Sequence, residues 1–187
     1  MADRIFIVRH GETEWSSAGR HTGLTDVPLT AAGEKQASGL APKLDGEPFE
    51  LVLCSPLMRA RQTCELAGFG ARAEAFEDLV EWNYGDYDGL TTPEIRAIDP
   101  HWDLWRDGCP GGERPAAVGA RADRVLTRLG DLPGTAIAFA HGHVLRVLTA
   151  RWLAMDVSAG ARFKLAPAGV GVLGFERETA VIDRWNA

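Results

Sequence analysis

The 187-residue chain is 45% hydrophobic and 25% charged, enough apolar material to bury the core of one globular domain. Its formal charge of −6, from 20 basic and 26 acidic residues, argues against non-specific binding to nucleic acid or to a membrane surface. A small anionic substrate is not excluded, because local arginines and not the global balance hold a phosphate.

The first predicted element is a strand over Arg4–Arg9, whose apolar run Ile5-Phe6-Ile7-Val8 ends abruptly in Arg9-His10-Gly11. A polar loop from Gly19 to Pro28 leads to a helix over Thr30–Leu44, with Thr30 as N-cap and Glu34 nearby. Glu50–Cys54 reads as a second strand and Pro56–Ala67 as a helix with proline in its first turn. A short helix over Thr92–Ile98 precedes the Gly/Pro-rich loop from Gly108 to Pro115. In the next helix, Arg114–Leu132, the residues Val118, Ala122, Val125, Leu129 and Leu132 form one apolar stripe. Arg121, Arg124 and Arg128 fall largely outside that stripe. The strand Thr135–Ala140, the helix Gly142–Met155 and the strands Val170–Phe175 and Ala180–Arg184 complete the chain.

Strands alternating with helices predict an α/β fold, a three-layer α/β/α sandwich with a mainly parallel central sheet. Residues 1–187 read as one domain, with no internal repeat and no low-complexity tract. No apolar run approaches the roughly 18 residues needed to span a bilayer, and the first strand begins without a signal-like apolar segment. Cys54, Cys64 and Cys109 are odd in number and lack a C-x-x-C spacing, which fits reduced thiols. A cytoplasmic protein is the expectation.

The chemistry lies just after the strands. Arg9-His10-Gly11 follows the first, Ser55-Pro56-Leu57-Met58-Arg59 the second and His141-Gly142-His143 the third. Parallel strands put these ends on one side of the sheet, where open α/β folds bind ligands. Guanidinium forks pair with phosphate oxygens, helix N-termini add N–H donors, and a neutral imidazole can attack phosphorus. Gly11 and Gly142 let backbone approach closely at both histidines. No His/Asp/Glu spacing suggests a metal site, and this chemistry needs no metal or cofactor.

These segments resemble the histidine phosphatase, or phosphoglycerate mutase-like, superfamily. The resemblance rests on Arg9-His10-Gly11-Glu12-Thr13, Thr22-Gly23-Leu24-Thr25-Asp26, Leu29-Thr30-Ala31-Ala32-Gly33 and Ser55-Pro56-Leu57-Met58-Arg59. It continues through Glu81-Trp82-Asn83-Tyr84-Gly85 and Phe139-Ala140-His141-Gly142-His143, in the family's order. It implies that His10 takes the phosphoryl group, that Arg9, Arg59 and His141 surround it, and that Glu81 is general acid and base. A sugar alkoxide is a poor leaving group, so a proton donor near the bridging oxygen is required on chemical grounds too. Glu81 stands between apolar Val80 and Trp82, neighbours that would desolvate it. Ser16, Thr22 and Tyr84 fall where relatives touch phosphate or substrate, and His21, Gly23, Gly142 and His143 complete the expected substrate-binding set.

The segments around His21, Glu81, Trp105, His141 and Gly169 resemble the sedoheptulose-bisphosphatase-like branch, which implies a phosphatase acting on sugar phosphates or bisphosphates. Ser16 and His143 stand where mutases carry asparagine. A cofactor-dependent phosphoglycerate mutase, a generalist phosphatase and a catalytically dead phosphoprotein-binding scaffold are the alternatives. Arg106, Arg20 or Lys164 could hold a second phosphate, and spacing does not choose among them. Plainer roles fit the remaining polar residues: His101 as structural, Arg61 as a surface cation, Glu77 and Asp78 as strand-edge charges, Asp86 and Asp88 as turn formers. Trp82, Trp102 and Trp105 could line a pocket, with core packing the expectation for most of them. The edge strand at Ala180–Arg184, or Trp185, offers a homodimer contact.

Overall fold

The computed structural model describes residues 3–131 and 133–187. Apolar strand sequences form a six-stranded sheet in the order β3-β2-β4-β1-β5-β6, in which β1 is Arg4–Arg9, β2 Phe49–Cys54 and β3 Glu74–Ala75. β4 is Thr135–Ala140, β5 Val170–Glu176 and β6 Thr179–Trp185. The pairs β1–β4, β2–β4 and β2–β3 are parallel, whereas β1–β5 and β5–β6 are antiparallel. The sheet is therefore mainly parallel, as expected, with an antiparallel hairpin closing one edge. Only Arg177 and Glu178 separate β5 from β6, and Arg177 takes a left-handed φ of 58°, so the two strands must run in opposite directions.

Both faces of the sheet are covered. Alternate residues of β1 and β4 (Ile5, Ile7, Ala136, Ala138) pack into a core with Val118, Val125 and Leu148, while Phe6, Val8, Ile137 and Phe139 join Leu40, Ala60 and Cys64 in a second core. That two-sided alternation builds the three layers from strands whose burial is continuous.

Several boundaries move. The helix expected over Thr30–Leu44 is two, Ala31–Ser38 (α2) and Ala41–Leu44 (α3), broken at Gly39–Leu40 with Pro42 in the first turn of the second. Thr30 does cap α2, accepting the Gly33 N–H at 3.0 Å. The helix expected from Pro56 begins at Met58 (α4, Met58–Leu66), because Leu57 is extended and Asp26 Oδ1 caps the Met58 N–H at 2.7 Å from another loop. α5 is Thr92–Ile98 and α6 is Leu104–Asp107. α7 spans Pro115–Gly130, so the predicted end at Leu132 lies outside the described residues. α8 is Gly142–Trp152, and Ala154 beyond it adopts a φ of 54°. Glu14–Ser17 (α1) was not predicted; Thr13 and Ser16 form a capping box that supports these four residues.

Candidate active site

The register of the parallel strands brings three loops together. His10 N donates to Ala140 O at 3.0 Å and Ser55 N to Phe139 O at 2.9 Å, so the segments after β1, β2 and β4 lie side by side. His10 is buried, and its Nδ1 lies 2.7 Å from Gly11 O. A carbonyl only accepts, so Nδ1 carries the proton and Nε2 keeps a lone pair. Burial, then the charges of Arg9 and Arg59, hold the imidazole pKa well below 6.5, which keeps the ring neutral at physiological pH. Gly11 is required by close approach, since a Cβ there would collide with Gly33 O.

Three buried nitrogens near His10 have no hydrogen-bond partner among the described residues: Arg9 Nε, Arg59 Nε and His141 Nδ1. Each side chain is otherwise well held. Arg9 Nη1 donates to Leu165 O at 2.6 Å, while Arg59 reaches the carbonyls of Thr25 (3.0 Å), Thr22 (3.2 Å) and Gly23 (2.8 Å). His141 Nε2 lies 2.7 Å from Ser55 Oγ, which itself receives the Leu57 N–H at 3.4 Å. The Ser55 hydroxyl proton has no other acceptor among the described residues, so it is donated to Nε2, and Nδ1 is left as an N–H without an acceptor. Burial lowers the basicity of both arginines and of His141, whose ring packs 5.2 Å from that of His10. Neither guanidinium has a carboxylate partner among the described residues. Buried positive charge and unsatisfied N–H groups around one imidazole make a receptor for an anion.

Glu81 is buried on the same cleft, but its sequence neighbours do not define its surroundings. Its Oε1 accepts the N–H groups of Trp82 and Val144, each at 2.9 Å, and Oε2 accepts that of His143 at 2.9 Å. Two of these donors are in the first turn of α8, so the helix end fixes the carboxyl. Tyr84 Oη lies 2.6 Å from His143 Nδ1. Burial raises the phenol pKa well above 10 and lowers that of His143 well below 6.5, so both groups are neutral and share one hydrogen bond. The 3.9 Å approach of His143 Nδ1 to Glu81 Oε2 is then not an ion pair.

The cleft encloses about 440 Å³. Of the expected residues, Arg9, His10, Ser16, His21, Thr22, Glu81, Tyr84, Gly142 and His143 line it. Arg59 and His141 are wholly buried and do not line the wall. Gly23 is not on the wall either: its N–H donates to Asp88 Oδ1 at 2.6 Å and its carbonyl takes Arg59. Asp88, read as a turn former, also accepts the Thr25 hydroxyl at 2.6 Å and so ties down the loop that holds Arg59. Of the three cations weighed for a second phosphate, Arg20 and Lys164 reach the cleft; Arg106 faces a neighbouring groove and bonds Asp107. Arg146 was missed. Its signal is helical spacing, because residues 142, 143 and 146 share one side of the first turns of α8.

Other readings change as well. Arg121 is buried despite lying off the apolar stripe, and Asp78 pairs with Arg124 at 2.6 Å. Trp82 and Trp102 are core residues, as expected. Trp105 is half-buried, 5.4 Å from the His143 ring. Among the described residues no group of three or more His, Cys, Asp or Glu side chains is arranged to hold a metal, and no helix is long and apolar enough to cross a membrane.

Residues 5–187 match the family model of the histidine phosphatase superfamily, branch 1. The chain is 43% identical over 187 residues to an acid phosphatase of Mycobacterium tuberculosis, covering 96% of this chain and 91% of that one. It is 38% identical to sedoheptulose 1,7-bisphosphatase of Saccharomyces cerevisiae, covering 84% and 70%. A solved structure of an open reading frame from Mycobacterium tuberculosis superposes with a TM-score of 0.91 at 37% identity, covering 98% and 96%.

Proposed function

The chain belongs to the histidine phosphatase superfamily and is a phosphoric monoester hydrolase, and we propose that it hydrolyses small phosphomonoesters, sugar phosphates or bisphosphates among them, through a phosphohistidine at His10. Nε2 of His10 attacks phosphorus, and the P–O bond to the sugar breaks as Glu81 passes a proton to the departing oxygen. Water then attacks the phosphohistidine, giving its proton to Glu81, and inorganic phosphate leaves with the imidazole restored. Oε2 of Glu81, with one N–H donor against two on Oε1, is the oxygen that handles this proton. Arg9, Arg59 and His141 stabilise the equatorial oxygens as charge spreads over them. Ser16, His21, Thr22, Tyr84, Gly142 and His143 form the wall against the sugar, and Gly23 acts through Arg59.

The observation that carries this reading is the set of unpartnered nitrogens at Arg9, Arg59 and His141 around a neutral His10. It fits a bound phosphoryl group better than a scaffold role, in which nothing would need a nucleophile held neutral with its lone pair free. Replacing His10→Ala should abolish release of inorganic phosphate from every phosphomonoester tested. Turnover within about 100-fold of wild type would reject the nucleophile, since loss of covalent catalysis costs far more.

A further inference from the structure

Two imidazoles face the proposed phosphoryl group, and both need their single proton on Nδ1. His10 must keep the lone pair of Nε2 free for attack, and His141 must present an N–H to an equatorial oxygen. A neutral imidazole can hold its proton on either nitrogen, so the surroundings have to choose. They choose by opposite means. At His10 an acceptor, Gly11 O, lies 2.7 Å from Nδ1, and that carbonyl is backbone. At His141 the choice is made from the far side of the ring and by a side chain, because Ser55 Oγ lies 2.7 Å from Nε2.

Ser55 is held in place for that contact. It is wholly buried, as is His141, and it does not line the cleft. Its N–H donates to Phe139 O at 2.9 Å, and its own carbonyl accepts the Cys54 thiol at 3.3 Å. Pro56 disfavours a helical backbone at the residue before it, and α4 starts only at Met58, so Ser55 stays beside the end of β4. The Leu57 N–H approaches Oγ at 3.4 Å and can only donate. Nε2 of His141 is therefore the one acceptor for the hydroxyl proton among the described residues. The opposite tautomer would strand that buried proton and turn a lone pair of Nδ1 on the phosphoryl oxygens. A doubly protonated ring is disfavoured by burial and then by the charge of Arg59.

We infer that Ser55 is a positioning residue for the reaction: by donating to Nε2 of His141 it fixes the Nδ1–H tautomer, so that His141 meets the phosphoryl group as a hydrogen-bond donor. The inference rests on the proposed phosphatase reaction and adds to it a side chain that lies behind the cleft wall and acts through its neighbour.

The test is a nitrogen NMR spectrum of the whole enzyme with its histidine rings isotopically labelled, in which His141→Gln identifies the His141 signals among the five histidines. In wild type the proton should sit on Nδ1 of His141, with Nε2 unprotonated. In Ser55→Ala the proton should be shared between the two nitrogens, and kcat/KM for p-nitrophenyl phosphate should fall about 10–100-fold, less than the loss of a whole donor. Ser55→Thr keeps the hydroxyl, and its methyl has room in the cavity of about 90 Å³ that Ser55 lines with Cys54 and Cys64. It should restore the single tautomer and most of the rate. A proton on Nε2 in wild type would overturn the inference, even if Ser55→Ala failed to fold. So would a folded Ser55→Ala whose His141 spectrum matched that of wild type. Failure of the phosphohistidine reading is separate: it would show as turnover by His10→Ala, whatever the tautomer of His141.

Discussion

Arg59 and Arg121 are both buried arginines that reach backbone carbonyls, yet they do opposite things in two regions of the molecule. Arg121, on α7, makes a two-pronged pair with Glu113, each N–O contact 2.8 Å, and donates to the carbonyls of Asp78 (2.6 Å) and Val80 (3.0 Å). Glu113 in turn accepts the Asn83 N–H at 2.9 Å, so this node is closed and holds the Glu81 segment from behind. Arg59, after β2, has three carbonyls but no carboxylate, and its Nε is left over. The difference teaches how to tell a structural charge from a receptive one: burial is common to both, and only the missing counter-ion marks the site.

Exchanging either arginine sharpens that contrast. Arg59→Met should lower kcat/KM by about 10²–10³, the scale of losing one preorganised charged donor. Inorganic phosphate, which should raise the melting temperature of the wild type by binding the folded state, should no longer do so in this variant. Arg121→Met should instead cost about 3–5 kcal/mol of stability, because it leaves Glu113 and several carbonyls without their donor. It should still be stabilised by phosphate, from a lower starting temperature. If the two variants behaved alike, with equal stability losses and equal phosphate responses, the distinction would collapse.

The regions differ in their response to acid as well. Burial depresses the pKa of His10, His141 and His143 well below 6.5 and lowers that of His21, whereas Arg121 is bonded to Glu113 and backbone carbonyls and to no histidine among the described residues. For a depressed histidine the unfolded chain binds the extra proton first, so stability is full above about 6.5 and falls as the pH drops below it. The slope should reach about 1.4 kcal/mol per pH unit for each such group, and His143→Gln should reduce it. Turnover should persist below pH 6.5, since His10 stays neutral there. A melting temperature independent of pH between 7 and 5 would contradict the assigned neutral imidazoles.

Sequence made the strands and the phosphate-facing residues legible for a local reason. Continuous apolar runs name buried strands, and residues just past the end of a parallel strand are aimed at the crevice. The Gly39–Leu40 break could not be read, because a helical period runs through it and only a glycine and Pro42 mark the stop. The burial of Arg121 and the hold of Asp88 on the Arg59 loop were hidden for a different reason. Their partners, Glu113 with the 78–81 carbonyls and the 23–25 loop, are distant in sequence, so nothing local separates them from a surface arginine or a turn aspartate. Arg146 lay within the pattern around His141, and its helical spacing from Gly142 and His143 is the signal that puts it on the cleft wall.

The most direct test traps the covalent state. In Glu81→Gln, p-nitrophenyl phosphate still supplies a leaving group that needs no proton, whereas water attack on the phosphoenzyme loses its base. The phosphoenzyme should therefore accumulate, and after an alkaline quench peptide mapping should place the phosphate on Nε2 of His10. Phosphate on any other side chain, or steady turnover with no protein-bound phosphate, would contradict the account.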